Sequence, residues 1–413
     1  MYRIKSAFVV LLVLSLILVT FPQIGVVNAE ATIYILSDGS VTGTDKIQRN
    51  GDIYSFTGNV SGSIVVEKDG VVIDGNGFWL KGSGSISTTA LYEYQGDKSE
   101  VGITLNGRTD VTIQNLQIIN YGIGIAFDGS SNNTIFGNQL SYIYGYPGSI
   151  FLNNSNNNMI AQNSVEVTLQ LAIALWNSNS NQITENKISS NLGTGIIILG
   201  SNNTISGNVL ENNGDHVLIN LGSENMITGN NMTGTGGMGI GLLHGTDGNK
   251  ISRNNIYQCN LAIACYDEHN NTFFENNIVD NDVAVEYSTG ISNNYNNTFY
   301  CNNFINNTKL VDINYGRDSY SEPADSQLKD HWDNGTQGNY WSDYADKYPD
   351  AKEMDDTGIW DTPYALGENY QDNYPLIEPI IIPEFPSWIV LPIILATLVF
   401  LVYRSRLTRK FAN

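Results

Sequence analysis

An eight-residue pattern, Asn-x-Ile-x-x-Asn-x-apolar, returns through the middle of this chain as NTIFGNQL, NMIAQNSV, NQITENKI, NTISGNVL, NMITGNNM, NKISRNNI, NTFFENNI and NTFYCNNF, with a looser copy in DVTIQNLQI. Its apolar marker falls at Ile113, Ile135, Ile160, Ile183, Ile205, Ile227, Ile251, Phe273 and Phe299, in steps of 22, 25, 23, 22, 22, 24, 22 and 26 residues. Such a period admits a leucine-rich repeat or a β-solenoid, because both stack one short unit per repeat. The stretches between markers decide. GIGIAF, SIFL, LAIALW, GIIIL, HVLINL, GIGLL, LAIAC and VAVEY are short, β-branched or alternating, bounded by Gly and Asn, and without helical period. The fold expected is all-β: a right-handed, single-stranded parallel β-helix of roughly ten to twelve coils, right-handed because crossovers between parallel strands nearly always are.

Stacking assigns the asparagines a role. A turn Asn tolerates left-handed backbone angles that most residues resist. Repeated in every coil, its carboxamide donates to one neighbour and accepts from the other, as in the amide ladders of stacked sheets. Register predicts such a column at Asn138, Asn163, Asn186, Asn208, Asn230, Asn254, Asn276 and Asn302, with Ile or Phe three residues earlier filling the interior. Asn-x-Ser/Thr sequons at Asn59, Asn132, Asn153, Asn202, Asn231, Asn270, Asn296, Asn306 and Asn334 are candidate glycan acceptors. NNT is also how this repeat spells its turn, so a sequon arises here without any selection for sugar.

The two ends do not repeat. Residues 1–29 join Arg3 and Lys5 to the apolar AFVVLLVLSLILV and close on Val27, Asn28 and Ala29, the layout of a secretory signal. Near the other end, FPSWIVLPIILATLVFLVY precedes Arg404, Arg406, Arg409 and Lys410. It reads as a membrane-spanning helix over residues 388–403 with a cytoplasmic basic tail at 404–413. All 41 acidic residues lie between these ends, and six of the 20 basic ones do not, so the exterior part carries 14 minus 41, or −27. That charge disfavours nucleic acid and anionic lipid as partners and favours cations. An open solenoid exposes sheet edges and needs caps. Residues 30–70 fit an N-terminal cap, 71–311 the coils, 312–378 an acidic, aromatic cap or small module, and 379–387 a stalk. From Asp312 to Glu384 there are 17 acidic and four basic residues and eleven Tyr or Trp. Three cysteines do not make a disulfide-stapled scaffold, although an exterior location would permit a bridge between Cys259 and Cys265.

Asn-rich coils that end in GNYWSDY, GIWDTPY and QDNYPL make the chain resemble the NosD family of periplasmic copper-binding β-helix proteins. It is most similar to the archaeal surface proteins of that family, which carry carbohydrate-binding and sugar-hydrolysis type repeats. The likeness covers about residues 32–378, and the terminal PEFPSWIVLPIILATLVFLVYRSR is similar to the membrane anchors of such proteins. The resemblance implies the fold strongly and an activity weakly, because one solenoid fold carries lyases, hydrolases and non-enzymes.

Copper is implied by the resemblance alone. Copper sites favour His, Met and Cys, and this chain offers His216, His244, His269 and His331 without a His-x-His pair or a Met cluster. Placing the coils in register sets His244 near Asp267, with Glu268 and His269 beside them, the candidates for a catalytic or metal-binding group. For calcium, MDDTGIWDTPY spaces Asp355, Thr357 and Asp361 like oxygen ligands in a tight loop. Thr357 and Trp360 depart from the family pattern of an acid and a small residue. Outward acids such as Glu211 and Asp215, or Asp280, Asp282 and Glu286, could form the carboxylate pair of a polysaccharide hydrolase. Cations for a lyase are sparse on the coils, at Lys187, Lys250 and Arg253. The reading reached is an exterior, membrane-anchored β-helix whose long face binds polysaccharide or surface glycan through Tyr142, Tyr144, Tyr146, Trp176, Tyr266 and Tyr287. Metal handling, polysaccharide cleavage and a purely structural surface role are the competing readings.

Overall fold

The computed structural model describes residues 32–86, 94–95, 100–289, 296–315, 330–367 and 370–382. The export signal expected at 1–29, the spanning helix expected at 388–403 and the basic tail expected at 404–413 fall outside these residues. Among them no helix is long and apolar enough to cross a membrane.

The chain winds into a parallel β-solenoid of about ten turns, each turn giving one strand to each of three sheets. A representative turn runs along Thr194–Leu199 in the first sheet, Thr204–Ser206 in the second and Val209–Glu211 in the third. Asp215–Asn220 then opens the next turn. The first sheet has thirteen strands and the other two have twelve each. Its strands are six residues long in most turns, against three in the second sheet, so it forms the broadest face. The single α-helix among the described residues is the four-residue Tyr344–Lys347.

Register is in step from turn to turn, so identical positions stack. Ile135, Ile160, Ile183, Ile205, Ile227, Ile251, Phe273 and Phe299 pair in sequence through the second sheet and are fully buried. This is the repeat marker, and it is the interior column expected of it.

The asparagine column is present as expected. The Nδ2 of Asn138 donates to Oδ1 of Asn163 at 3.0 Å, and the same bond continues through Asn186, Asn208, Asn230, Asn254, Asn276 and Asn302 at 2.9–3.0 Å. Each rung also receives the backbone N–H of the previous rung, as Asn208 does from Asn186 at 2.9 Å. It returns a bond to a backbone carbonyl, as Asn208 does to Ile183 at 2.9 Å. A buried amide so placed has both its donors and its acceptor satisfied.

Two further columns were not singled out from the sequence. Asn133, Asn158, Asn181, Asn203, Asn225, Asn249, Asn271 and Asn297 form a second ladder one corner away, with amide contacts of 2.9–3.2 Å from Asn158 onward. A third runs in two pieces, Asn191 to Asn213 at 2.8 Å and Asn281 to Asn307 at 2.9 Å. Between them stand Thr235 and Cys259. Deprived of an Asn above it, Asn213 places its Nδ2 3.2 Å from Nδ1 of the buried His216. Burial lowers the His216 pKa to about 4, so the ring is neutral at physiological pH and its Nδ1 accepts.

The left-handed residue of each corner is not the ladder Asn, contrary to the expectation, but the residue just before it. Gln162, Glu185, Arg253 and Glu275 hold φ of 54–56° directly ahead of Asn163, Asn186, Asn254 and Asn276. The ladder bond holds the corner tightly enough that long polar side chains accept a conformation that Gly or Asn would adopt at less cost.

Both long ladders end on buried acids. The last rung of the first, Asn339, donates its backbone N–H to Asp372 at 2.7 Å, and the Trp341 indole donates to the same oxygen at 2.9 Å. The second ends where Asn297 donates to Asp330, its backbone N–H at 2.7 Å, while the Tyr287 hydroxyl donates at 2.6 Å. A ladder that passes donors upward must stop at an acceptor, and a carboxylate is one without donors of its own. Alongside the ladder ends the interior columns finish as stacked rings. Phe273, Phe299 and Trp332 follow one another at 4.3 and 4.6 Å, and Phe304, Trp341 and Tyr364 at 4.5 Å each. The acidic, aromatic segment thus closes the end of the core with flat side chains that fill the cross-section.

Cys259, Cys265 and Cys301 are buried free thiols, so the permitted bridge between Cys259 and Cys265 is not formed. Cys265 points into the core from the first sheet, in line with Leu242 and Tyr287.

Removing one rung tests the ladder. Asn208→Ala deletes the acceptor of Asn186 and the donor to Ile183 and Asn230, and should lower unfolding free energy by about 2–4 kcal/mol in equilibrium denaturation. Asn202→Asp, on the exposed side of a neighbouring corner, should change it by less than about 0.5 kcal/mol. The terminal acids predict a pH dependence. Burial pushes Asp372 from the usual 3.8 up to about 7, against the pull of its N–H donors. A carboxyl raised in the folded state contributes full stability below its unfolded pKa and loses it as pH rises toward the folded value. The Asp372 contribution should therefore be lost between about pH 4 and pH 7, while His216, depressed in the fold, adds stability as pH rises through about 4 to 6.5. Relative to the parent, Asp372→Asn should make melting temperature rise more, or fall less, with pH across that window.

Candidate functional site

The first sheet presents three outward rows across the turns. One runs Ala126, Phe151, Ala174, Ile197, Leu218, Gly241, Ala264, Glu286 and Asp312. A second runs Asp128, Asn153, Trp176 and Leu199, then Asn220, Leu243 and Tyr266. The third joins Gly148 to Leu171, Thr194 to Asp215, and Met238 to Leu261, Val283 and Lys309. These rows turn the broad face into an apolar strip with an aromatic cluster toward one end, Asp128 beyond that cluster, Asp215 midway, and Glu286 and Asp312 toward the other end.

At the aromatic end, the half-buried Trp176 stands between two rings, 5.4 Å from the exposed Tyr146 and 4.9 Å edge-on to Phe151. Four turns on, the Tyr266 hydroxyl donates to Oε1 of Glu286, which is buried and not the exposed outward acid expected. With strands about 4.8 Å apart, Trp176 and Tyr266 are separated by roughly 19 Å along the axis. Asp215 is half-buried on the same face, accepting the Met238 N–H at 2.8 Å, and burial raises its pKa. Burial and the Glu286 carboxylate raise the Tyr266 pKa in turn, so its hydroxyl stays protonated and remains a donor.

The aromatics expected to line the long face divide. Tyr142 and Tyr146 are exposed, and Trp176 and Tyr266 half-buried, whereas Tyr144 and Tyr287 are buried and take no part in an outer face. Phe151 and the pairing of Tyr266 with Glu286 were missed, because facing across a turn depends on register and not on proximity in sequence.

His244 and Asp267 do lie on adjacent turns: the His244 N–H donates to the Tyr266 carbonyl at 2.8 Å and Gly245 donates to the Asp267 carbonyl. Both are left-handed corner residues, with φ of 51° and 58°. Glu268, expected beside them, is instead fully buried. Its carboxylate accepts from Asn271 at 2.6 Å and Asn297 at 3.0 Å, inside the solenoid. Burial and the charge of Asp330 push it upward, and burial does the same to Asp330. The two acids share the amide of Asn297 and complete the ladder end, not a surface site.

Of the other acids, Glu211 lies 4.0 Å from Lys187 on the third sheet and so faces away from Asp215. Asp280 and Asp282 flank a corner pocket of about 450 Å³ with Thr235 and Gln258. Asp215 and Glu286 share a face, but three strand spacings, about 14 Å, separate their strands. Lys250 is exposed, and Arg253 is paired with Glu275 at 2.6 Å.

In the calcium-like loop, Asp361 accepts the Lys352 N–H at 3.0 Å and the Thr362 hydroxyl at 2.9 Å, which holds its carboxyl below the usual range. The Thr357 hydroxyl donates to the Met354 carbonyl at 2.5 Å, and Asp355 is exposed in a left-handed turn. Among the described residues no three His, Cys, Asp or Glu side chains gather as a metal-holding group. The thiols are buried and His216 is committed to Asn213, so the donors that copper prefers are not assembled there. Eight of the sequon asparagines, Asn59, Asn132, Asn202, Asn231, Asn270, Asn296, Asn306 and Asn334, are exposed. Asn153 is half-buried and donates to Asp128 at 2.9 Å.

Among solved structures, the catalytic domain of a GH87 alpha-1,3-glucanase in complex with tetrasaccharides is similar over 68% of this chain and 56% of its own, at 14% identity and a TM-score of 0.50. The tailspike protein of E. coli bacteriophage HK620 in complex with pentasaccharide matches 65% of this chain and 56% of its own, at 9% identity and a TM-score of 0.43. The chain thus spans little more than half the length of either, and at such identities the glucanase likeness shows the fold alone. No curated protein matches. The family model described as periplasmic copper-binding protein (NosD) matches residues 37–220 and 173–346. With most of its length matched by that model and folded as a ladder-bearing parallel solenoid, the chain belongs to the NosD family.

Proposed function

We propose that this protein is an exported β-solenoid, held at the membrane by residues 388–403, that binds polysaccharide along the outer face of its first sheet. The observation that carries the reading is the Tyr146, Trp176 and Phe151 cluster on that face. Sugar rings offer C–H faces that pack on aromatic rings, while their hydroxyls need polar partners at the edges. The half-buried Asp215 and Tyr266 are such partners on the same face, Tyr266 being held by its bond to the buried Glu286. The repeat supplies a straight surface whose features recur every strand spacing, suited to an extended polymer more than to a small molecule. The glucanase that shares the fold holds tetrasaccharides, which supports a solenoid of this kind as a scaffold for oligosaccharide binding.

Titration of the purified protein against a panel of polysaccharides tests the proposal. Trp176→Ala should weaken the bound polymer by about 2–10-fold, the equivalent of one aromatic contact of roughly 0.5–1.5 kcal/mol. Trp176→Phe should keep part of the affinity. An unchanged affinity in Trp176→Ala would move the site elsewhere. Separately, deletion of residues 388–413 should release the protein from the membrane fraction into the soluble exterior fraction.

A further inference from the structure

The outer face of the first sheet is unusual in its charges. Along its three rows, from Ala126 to Asp312, the ionisable carboxylates are Asp128, Asp215, Glu286 and Asp312, and the cation is Lys309. Lys309 is already bonded to Asp312 at 2.5 Å. The strip between Trp176 and Tyr266 carries Ile197, Leu199, Leu218, Asn220, Leu243 and small residues, with Thr194, Asp215, Met238 and Leu261 along its third row and no cation in the rows. The surrounding exterior chain, residues 30–384, carries −27.

Resting on the glycan-binding reading above, we infer that the polymer taken by this face is a neutral polysaccharide and not a polyuronate or other polyanion. An ionised carboxylate accepts hydrogen bonds and donates none. At the half-buried Asp215 a neutral sugar brings hydroxyl donors, whereas a uronate brings a second acceptor of the same charge; the buried Glu286, its Oε1 taken by the Tyr266 hydroxyl, adds its negative charge to the same face. Recognition of a repeating carboxylate calls for Arg or Lys, with Arg giving the paired N–H bonds that fit it. Neither is available on the rows between Trp176 and Tyr266. The summed negative field of the exterior chain adds to this by slowing the approach of a polyanion, most strongly at low salt. The apolar strip is uncharged and selects for ring faces, so it is compatible with any neutral polymer that exposes them. Specificity thus arises from the carboxylates at the edges and affinity from the aromatic cluster.

The test is affinity electrophoresis and calorimetry of the full-length protein in detergent, with neutral glucans and xylan on one side and polygalacturonate and alginate on the other, at low and high salt. Retardation by at least one neutral polymer, little changed by salt, is expected, with affinity for polyuronates at least about tenfold weaker. The double variant Asp215→Asn, Glu286→Gln should narrow that gap by raising polyuronate affinity at low salt, and Trp176→Ala should weaken the neutral polymer. Equal or tighter binding of polyuronates overturns the neutral-ligand inference while leaving glycan binding in place. Binding to none of the polymers overturns both. Neutral binding that persists undiminished in Trp176→Ala shows that this face is not the site and overturns the inference as well.

Discussion

Everything in this molecule depends on the buried amide-to-amide hydrogen bond between successive turns. A parallel solenoid brings each corner within a strand spacing of the next, so whatever group lies in the corner must satisfy its own copies above and below. The carboxamide does this, because it carries a donor and an acceptor on one planar group and passes one bond along the axis at every turn. Asn138 to Asn302 and Asn158 to Asn297 show the bond repeated at nearly constant length. Left-handed backbone at Gln162, Glu185 and Arg253 is a consequence: the ladder holds the corner in place and the residue before it adopts whatever angle closes the turn.

A directional chain of hydrogen bonds needs an end. At the C-terminal end both long ladders meet carboxylates, Asp372 and Asp330, buried among aromatic rings. Burial raises the affinity of these acids for a proton, and the N–H donors oppose it. The acidic aromatic segment is therefore part of the same system as the ladder. It supplies terminal acceptors and flat rings that stack at the end of the core. The third ladder shows the opposite case. Where Thr235 and Cys259 interrupt it, the neutral ring of His216 takes the place of a rung for Asn213.

The interior accounts for nearly all the regular pattern of the repeat, which leaves function to the outer rows. There the side chains are free of the ladder requirement and vary from turn to turn, so Phe151, Trp176, Tyr266 and Glu286 can be local. The family name points to copper, yet among the described residues the donors do not gather in a metal set. What does gather is a strip of apolar surface edged by acids, on the broadest of the three sheets.

The fold was legible because a period near 22 residues, Asn at fixed offsets and Ile as interior marker are all local in sequence, and stacking simply repeats them. The column from Asn138 to Asn302 followed from register alone. The second column was equally visible in the first Asn of each NxI motif, at Asn133, Asn158 and Asn181 onward, but a turn signal and a ladder signal look alike until the corner geometry is known. Glu268 was misplaced for a related reason: between the corner residues Asp267 and His269 it reads as a surface acid, and only the interior space left by Cys265 and Tyr287 admits it. The sequence by itself determined the solenoid, its repeat and its inward column, since these follow from hydrophobic period and from the two-sided hydrogen bonding of Asn. The tertiary structure decided which acids are buried and which aromatics share a face, because those depend on the register between turns more than 20 residues apart, where a shift of one residue exchanges inside for outside.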